Sequence, residues 1–247
     1  MTGKSLLLFL LLTIASTSGY AQGEIDKQKD VFYRDESSWA AMLSSNGYGL
    51  NYTYNKRIDA FNWHSFGIDF SEIKSRKEYR TSPSVQGRKF AYGKINYVYS
   101  LRFNYGKNKE IYSKYDAGGI AIRRFYSISG TLGIKKPIYY YYYIDEETVE
   151  IRELDLNASI LNIYDNAPYQ YGLENIAFVP GASVKFGYNF DFSKAKKQIH
   201  AVEVGAIADV FMSNVNIMAT NPQFYYVGFY AAYRYGKVVD KSYIDKE

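Results

Sequence analysis

Eight charged residues stand out by where they fall: Asp69, Arg102, Arg123, Lys185, Asp191, Glu203, Asp209 and Arg234. Each sits on the polar parity of a segment that otherwise alternates apolar and polar residues, so all face the same side of their strands. Four are basic and four acidic, and the signs balance. Charges in a narrow interior must be paired and hydrogen-bonded or they are costly. The set reads as an ion network that plugs a barrel lumen. A proton or solute path is the sharper alternative.

Other chemistry is thinner. The two histidines, His64 and His200, would suit a lipid A deacylase only if one stood beside a serine at the outer leaflet, as its general base. Both begin strands that rise from the periplasmic side, which is the wrong leaflet, and both read as interfacial polar aromatics. The stretch 75–93 carries Arg76, Lys77, Arg80, Arg88 and Lys89. Arginine forks match phosphate, so this loop is a candidate for lipid A phosphates as well as a plain solvated loop. The acidic cluster 145–155 lacks the spacing of a calcium loop and reads as charged surface. No cysteine is present, which removes disulfides, thiolate metal sites and cysteine nucleophiles. No phosphate-binding glycine loop, zinc motif or nucleophile elbow occurs. No catalytic residue, metal or cofactor is expected.

The elements that must position these residues are strands. In 223–236, Tyr225, Val227, Phe229, Ala231, Tyr233 and Tyr235 share one face, with Tyr226, Gly228, Tyr230, Ala232, Arg234 and Gly236 on the other. An aromatic outer face backed by a small, polar inner face is what a lipid-facing barrel strand needs. The same alternation marks 38–45, 48–56, 63–74, 95–107, 119–135, 182–192 and 199–212. Asn46-Gly47 signals the tightest hairpin, since both residues tolerate positive φ. Arg124 breaks the outer face of 119–135. Pro137 suggests that the chain leaves the ladder before the five-tyrosine run Tyr139–Tyr143. The longest connection is 146–178.

The fold expected is all-β, an eight-stranded antiparallel up-and-down transmembrane β-barrel. A soluble lipocalin-like barrel would reverse the faces, apolar inside and charged outside. Here the second face is serine, asparagine, glycine and a few charges, which suits a narrow packed lumen. The long loops 75–93 and 136–178 both follow strands that rise from a periplasmic N-terminus, the loop asymmetry of outer-membrane barrels.

Composition agrees. The 28 tyrosines and 15 phenylalanines exceed the needs of a soluble core and fit a membrane–water interface. Residues 1–21 read as a secretory signal, with Lys4 in the n-region and small residues before Gln22. Then follow a periplasmic tether at 22–37, the barrel at 38–237 and a polar periplasmic tail at 238–247. Outer-membrane lipid and lipopolysaccharide are the expected surroundings, with an envelope protein as a further partner. A net charge of +5 without a basic stripe on an exported chain gives no reason to expect nucleic acid.

Several segments carry a resemblance: Asn46-Gly-Tyr-Gly-Leu, Tyr54-Asn-Lys-Arg, Ile120-Ala-Ile-Arg-Arg-Phe-Tyr and Gly133-Ile-Lys-Lys-Pro-Ile-Tyr. Val179-Pro-Gly-Ala, Ala201-Val-Glu-Val-Gly-Ala and the ending Tyr235-Gly-Lys belong with them. Together they resemble a family of small exported outer-membrane β-barrel proteins of Bacteroidetes. The shared motifs are barrel-like rather than catalytic. The resemblance implies an outer-membrane location and no active-site residue, with a structural or interaction role in the envelope, as an accessory to secretion or envelope assembly. It gives no reading for the five-tyrosine run or for the tail after Lys237.

Cleavage after Ala21 predicts a mature chain that begins at Gln22 and fractionates with the outer membrane. N-terminal sequencing of the membrane-extracted protein checks both points. A soluble periplasmic product would end the barrel reading.

Overall fold

The computed structural model describes residues 34–75, 78–81, 90–114, 119–143, 149–155, 162–194, 197–220 and 222–240. The signal-peptide reading and residues 22–33 of the expected tether lie outside them. In chain order the strands are β1 (Arg34–Ser44), β2 (Gly47–Arg57), β3 (Asn62–Ile73), β4 (Arg80–Thr81), β5 (Phe90–Ala91), β6 (Asn96–Tyr112) and β7 (Ala121–Pro137). They continue as β8 (Tyr139–Tyr143), β9 (Val149–Glu153), β10 (Ile163–Asn166), β11 (Ala177–Asp191), β12 (Gln198–Phe211) and β13 (Tyr225–Asp240).

Eight of these close a barrel in the order β1-β13-β12-β11-β7-β6-β3-β2, each pair antiparallel. They are the eight segments whose alternation marks them in the sequence, in up-and-down succession. Closure leaves no unpaired strand edge, which the hydrocarbon layer requires. The two ends of the chain differ from expectation. β1 starts at Arg34, so residues 34–37 belong to the barrel and not to a tether. β13 runs to Asp240, and Val238, Val239 and Asp240 pair with Glu36, Asp35 and Arg34. Of the polar residues that suggested a tether, Glu36 turns inward and pairs with Arg123, while Asp35, on the opposite parity, accepts from the Tyr54 hydroxyl at 2.6 Å.

The faces sort by parity. Trp39, Leu50, Phe66, Phe103, Ile128, Phe186, Val227 and Phe229 all stand on the exposed outer surface. This apolar belt, far larger than a soluble protein leaves uncovered, is the lipid-facing surface of an outer-membrane barrel. At the periplasmic end His200, Tyr233, Tyr235 and Phe192 form an aromatic group, with ring centroids 5.1 Å apart for His200–Tyr235. Arg124 is exposed near the periplasmic start of β7, where a long side chain reaches the headgroups. Among the described residues no helix is long and apolar enough to cross a membrane.

At the first hairpin only Gly47 takes a positive φ, 145°; Asn46 does not, contrary to the expectation for that dipeptide. A Cβ on Gly47 would stand 2.1 Å from the Glu72 carbonyl oxygen, so the close approach of β3 demands glycine. The Asn46 amide instead donates to the Val227 carbonyl at 3.0 Å and ties the hairpin to β13.

Above the barrel the long connections carry structure of their own. β4 and β5 pair as a short hairpin, and β10-β8-β9 make a three-stranded sheet within what the sequence presents as one long connection. The five tyrosines of β8 alternate: Tyr140 and Tyr142 are buried against Phe90, Ile138 and Ile163, while Tyr139, Tyr141 and Tyr143 face the other way. The strand forms because a period of two buries every second ring.

The belt predicts a graded response to charge along β13. Phe229→Arg, at mid-strand on the lipid face, should destabilise the barrel by roughly 2–4 kcal/mol, and Tyr235→Arg at the interface by about 0–1 kcal/mol. Refolding into lipid vesicles followed by denaturant titration ranks them. Equal tolerance would show that β13 does not cross a bilayer.

Candidate functional site

The inner faces of the eight barrel strands meet in a lumen filled by side chains. Its outer mouth is closed by an apolar cluster that includes Ile73, Val98, Val179, Phe211 and Tyr226 from the strands. Val215, Ile217 and Met218 join it from the connection between β12 and β13, which turns inward. Backbone bonds hold that connection in place: Ile95 N–H donates to the Ile217 carbonyl and Ala219 N–H to the Gly93 carbonyl, each at 2.9 Å. Tyr226 donates its hydroxyl to the Val215 carbonyl from within the cluster. The sequence reading places no such plug. A loop's side chains show no parity, so no signal in the sequence directs them inward.

Beneath the plug lies the first ionic layer. Arg102 donates from Nε and Nη2 to the two carboxylate oxygens of Asp209, at 2.7 and 2.8 Å. This is a two-pronged fork, the strongest geometry open to the pair. The third arm of the guanidinium reaches Ser71 Oγ at 2.8 Å, and Ser183 donates to Asp209 at 2.5 Å.

The middle layer centres on Asp69, which is fully buried. Lys185 Nζ lies 2.9 Å from its Oδ2, and Asn51 and Asn104 donate to Oδ1, the latter at 2.8 Å. Lys185 also stands over the Tyr230 ring, 5.1 Å from the centroid. Tyr230 donates to Glu203 Oε1 at 2.7 Å, and Arg234 holds Glu203 Oε2 at 2.7 Å while reaching Ser38 Oγ at 3.1 Å. One tyrosine thus touches two ion pairs, the first with its ring and the second with its hydroxyl.

The periplasmic layer is built around Arg123. Its Nη1 donates to Glu36 Oε2 at 2.7 Å, and Asp191 and Glu110 stand at 3.6 and 3.9 Å. Asp191 takes a second cation, Lys114, at 2.8 Å. Trp63, 1% exposed, lies between Arg57 and Arg123, with their guanidinium carbons 5.0 and 4.5 Å from its ring. Just below the barrel, Asp59 accepts from the Asn62 amide and two backbone N–H groups, and these bonds hold its carboxyl below the usual carboxylate range.

The structure brings all eight charges singled out in the sequence into this lumen. They meet as Arg102–Asp209, Lys185–Asp69, Arg234–Glu203 and Arg123–Asp191. The sequence reading misses Glu36 and Glu110, because it ended its strands short of them, and Lys114, which follows β6. It also leaves unnamed Phe125 and Ile207, which join Ala40, Met42, Tyr230 and Ala232 in an apolar lumen wall. The parity of Phe125, opposite to that of Arg124, was the available signal.

Between the middle and periplasmic layers a void of about 50 Å³ remains, lined by Asn51, Asn55, Asn104, Asn108, Arg123 and Arg234 among others. It is polar and has room for a few waters. A second void near Arg102 and Asp209 is about 10 Å³, and the middle layer of ion pairs separates the two.

The remaining candidates sit elsewhere. His64 and His200 lie on the outer surface at the periplasmic end, with Nδ1 of each 2.8 Å from a tyrosine hydroxyl, Tyr105 and Tyr233 respectively. Neither ring has a serine hydroxyl among these bonds. In the basic loop, Arg76, Lys77, Arg88 and Lys89 lie outside the described residues, and Arg80 falls in β4 opposite Ala91. Among the described residues no cluster of three or more histidine, aspartate or glutamate side chains is placed to hold a metal ion.

Breaking one lumen pair leaves a buried charge unpaired, at a cost of about 3–5 kcal/mol. Glu203→Ala and Arg102→Ala should therefore lower the unfolding midpoint of the refolded barrel well below that of Glu150→Ala, whose side chain is 52% exposed. Thermal or denaturant unfolding in detergent reads the difference. Equal midpoints would mean that the lumen pairs do not hold the fold.

No protein-family profile matches the chain, and no curated protein does. Among solved structures the chain is similar to the N-terminal β-barrel domain of OprF from Pseudomonas aeruginosa, at 6% identity and a TM-score of 0.37. That match covers 84% of this chain and 98% of the other. It is also similar to Neisserial surface protein A, at 7% identity and a TM-score of 0.37, over 84% of this chain and 96% of that one.

Proposed function

We propose that the protein is a non-conducting outer-membrane barrel with a structural or interaction role in the envelope. It holds a small β-rich head at the cell surface on a rigid, filled stem. The observation that carries this reading is the lumen. An apolar plug closes the outer mouth, successive layers of paired charges fill the interior beneath it, and the voids among these layers described above are small, about 50 and 10 Å³. A channel needs open cross-section, and this interior spends its charges on one another. The head offers what a partner would meet: the faces of β8 and β9 turned away from the buried tyrosines, and the exposed Tyr143 and Val149. An envelope protein engaged in secretion or assembly is the partner class in keeping with that surface. The sequence resemblance to small exported barrel proteins of Bacteroidetes points the same way.

The test is electrical. Purified protein reconstituted in a planar bilayer should give no steady conductance steps across the usual range of voltage. Stable open-channel currents from the unmodified chain would replace the plug with a pore.

A further inference from the structure

The sheet of the head ends in an open edge. β8 is its middle strand, with β10 on one side and β9 on the other, and among the described residues no strand pairs with the far side of β9. One contact gives the bonding directions. Ala167 N–H donates to the Tyr139 carbonyl at 2.9 Å, so Tyr139, Tyr141 and Tyr143 turn their main-chain groups toward β10. Tyr140 and Tyr142 turn theirs toward β9, where Arg152 and Glu150 stand opposite them. Val149, Ile151 and Glu153 therefore point their N–H and C=O groups to the open side. Such an edge is a template for another strand.

The sequence of β9, Val149-Glu150-Ile151-Arg152-Glu153, is complementary to itself. Laid antiparallel on a second copy with Ile151 opposite Ile151, it sets Glu150 against Arg152 at two symmetric places. Ile151 then forms a hydrogen-bonded pair, as its outward main-chain groups require. The Glu150–Arg152 pairs fall at the non-hydrogen-bonded positions, where side chains come closest. The next registers on either side put Glu150 against Glu150 or Arg152 against Arg152, so charge selects the symmetric one. Both side chains stand partly in solvent and touch each other along the strand at only 4.0 Å. An exposed contact of that kind holds little and leaves both groups available. The Arg152 guanidinium is kept beside the strand by the Tyr142 ring, 4.3 Å from its centroid.

The place of β8 fixes how two copies meet. Ile138 N–H donates to the Ile95 carbonyl at 2.9 Å, one step beyond the last β6–β7 pair, Asn96 with Pro137. Tyr140 and Tyr142 keep the parity of Ile138 and share its apolar cluster, so β8 prolongs the barrel wall above the membrane. The twofold axis between antiparallel strands runs perpendicular to their sheet. Here that axis lies in the plane of the membrane, and the second barrel points the other way.

We propose that the β9 edges of two copies on facing membrane surfaces pair antiparallel about Ile151 and join one outer membrane to another. This deepens the interaction role given above, on which it rests, and names a second copy of this chain as the partner. Each contact is small, since a five-residue pair buries far less than the about 1,000 Å² of a stable interface. Many copies acting together supply the hold.

Phosphatidylcholine vesicles carrying the full chain are followed by light scattering in EDTA, which removes bridging by divalent cations. Vesicles with the unmodified protein should cluster, and less so as salt screens the exposed pairs, while empty vesicles stay dispersed. Glu150→Arg and Arg152→Glu each set like charges opposite one another, and each should abolish clustering. Vesicles of the two variants mixed together should cluster again, because each offers the other opposite charges. Ile151→Pro removes an N–H that the head's own sheet does not use, and should abolish clustering with the unfolding midpoint unchanged. Heat-dependent migration on electrophoresis checks that each variant's barrel is folded. Dispersed vesicles of the unmodified chain overturn the proposal. So does clustering that survives either charge reversal, or folded variants that do not recover it when mixed. Scattering is read without current, so a conducting barrel would sink the filled stem and leave the edge pairing standing.

Discussion

Eleven register pairs join the first strand to the last, from Arg34 with Asp240 to Ser44 with Tyr230, and they leave the barrel without an edge. In hydrocarbon each unpaired backbone N–H or C=O costs several kcal/mol, so this seam is obligatory. It also accounts for the length of the strands at the two ends of the chain. Polar residues that look like a tether and a tail are drawn into the ladder because closure needs them. Once the sheet is closed, every residue of inward parity has a single place to go, and the content of the lumen follows.

That content obeys a second constraint. An ion taken from water into a narrow interior loses solvation that only a well-placed partner restores. The lumen meets this by neutrality in layers: arginine forked onto aspartate near the mouth, lysine on a doubly hydrogen-bonded aspartate in the middle, arginine on glutamate beside them. Hydroxyls and amides of Ser38, Asn51, Ser71, Asn104, Ser183 and Tyr230 fill the remaining bonding directions. Above this stem stand the head and the inward-turning connection between β12 and β13.

Those parts are organised by apolar burial. The head keeps Tyr140, Tyr142, Phe90, Ile138 and Ile163 out of water, and the inward-turning connection keeps Val215 and Ile217 out of it at the barrel mouth. The two are joined through the chain at Gly93–Asn96, which bonds to the connection while Lys94 accepts from Tyr140. Plug and head are thus one continuous assembly seated on the rim.

Strand parity was legible in the sequence because a pleated strand throws successive side chains to opposite faces. Alternation from Ser38 to Gly236 therefore sufficed to find eight strands, their order, the outer belt and the eight inward charges. It even sorted Arg124 to the outside and Arg123 to the inside. Parity says which face a residue takes, however, and not which strand it meets across the lumen. That Arg102 finds Asp209, 107 positions away, follows from closure and register, which only the folded barrel fixes. The connection between β12 and β13 carries no such periodic signal, so the plug of Val215, Ile217 and Met218 was decided by tertiary structure alone. Their side chains turn inward because apolar surface at the mouth had to be covered, a condition created by strands remote in the chain.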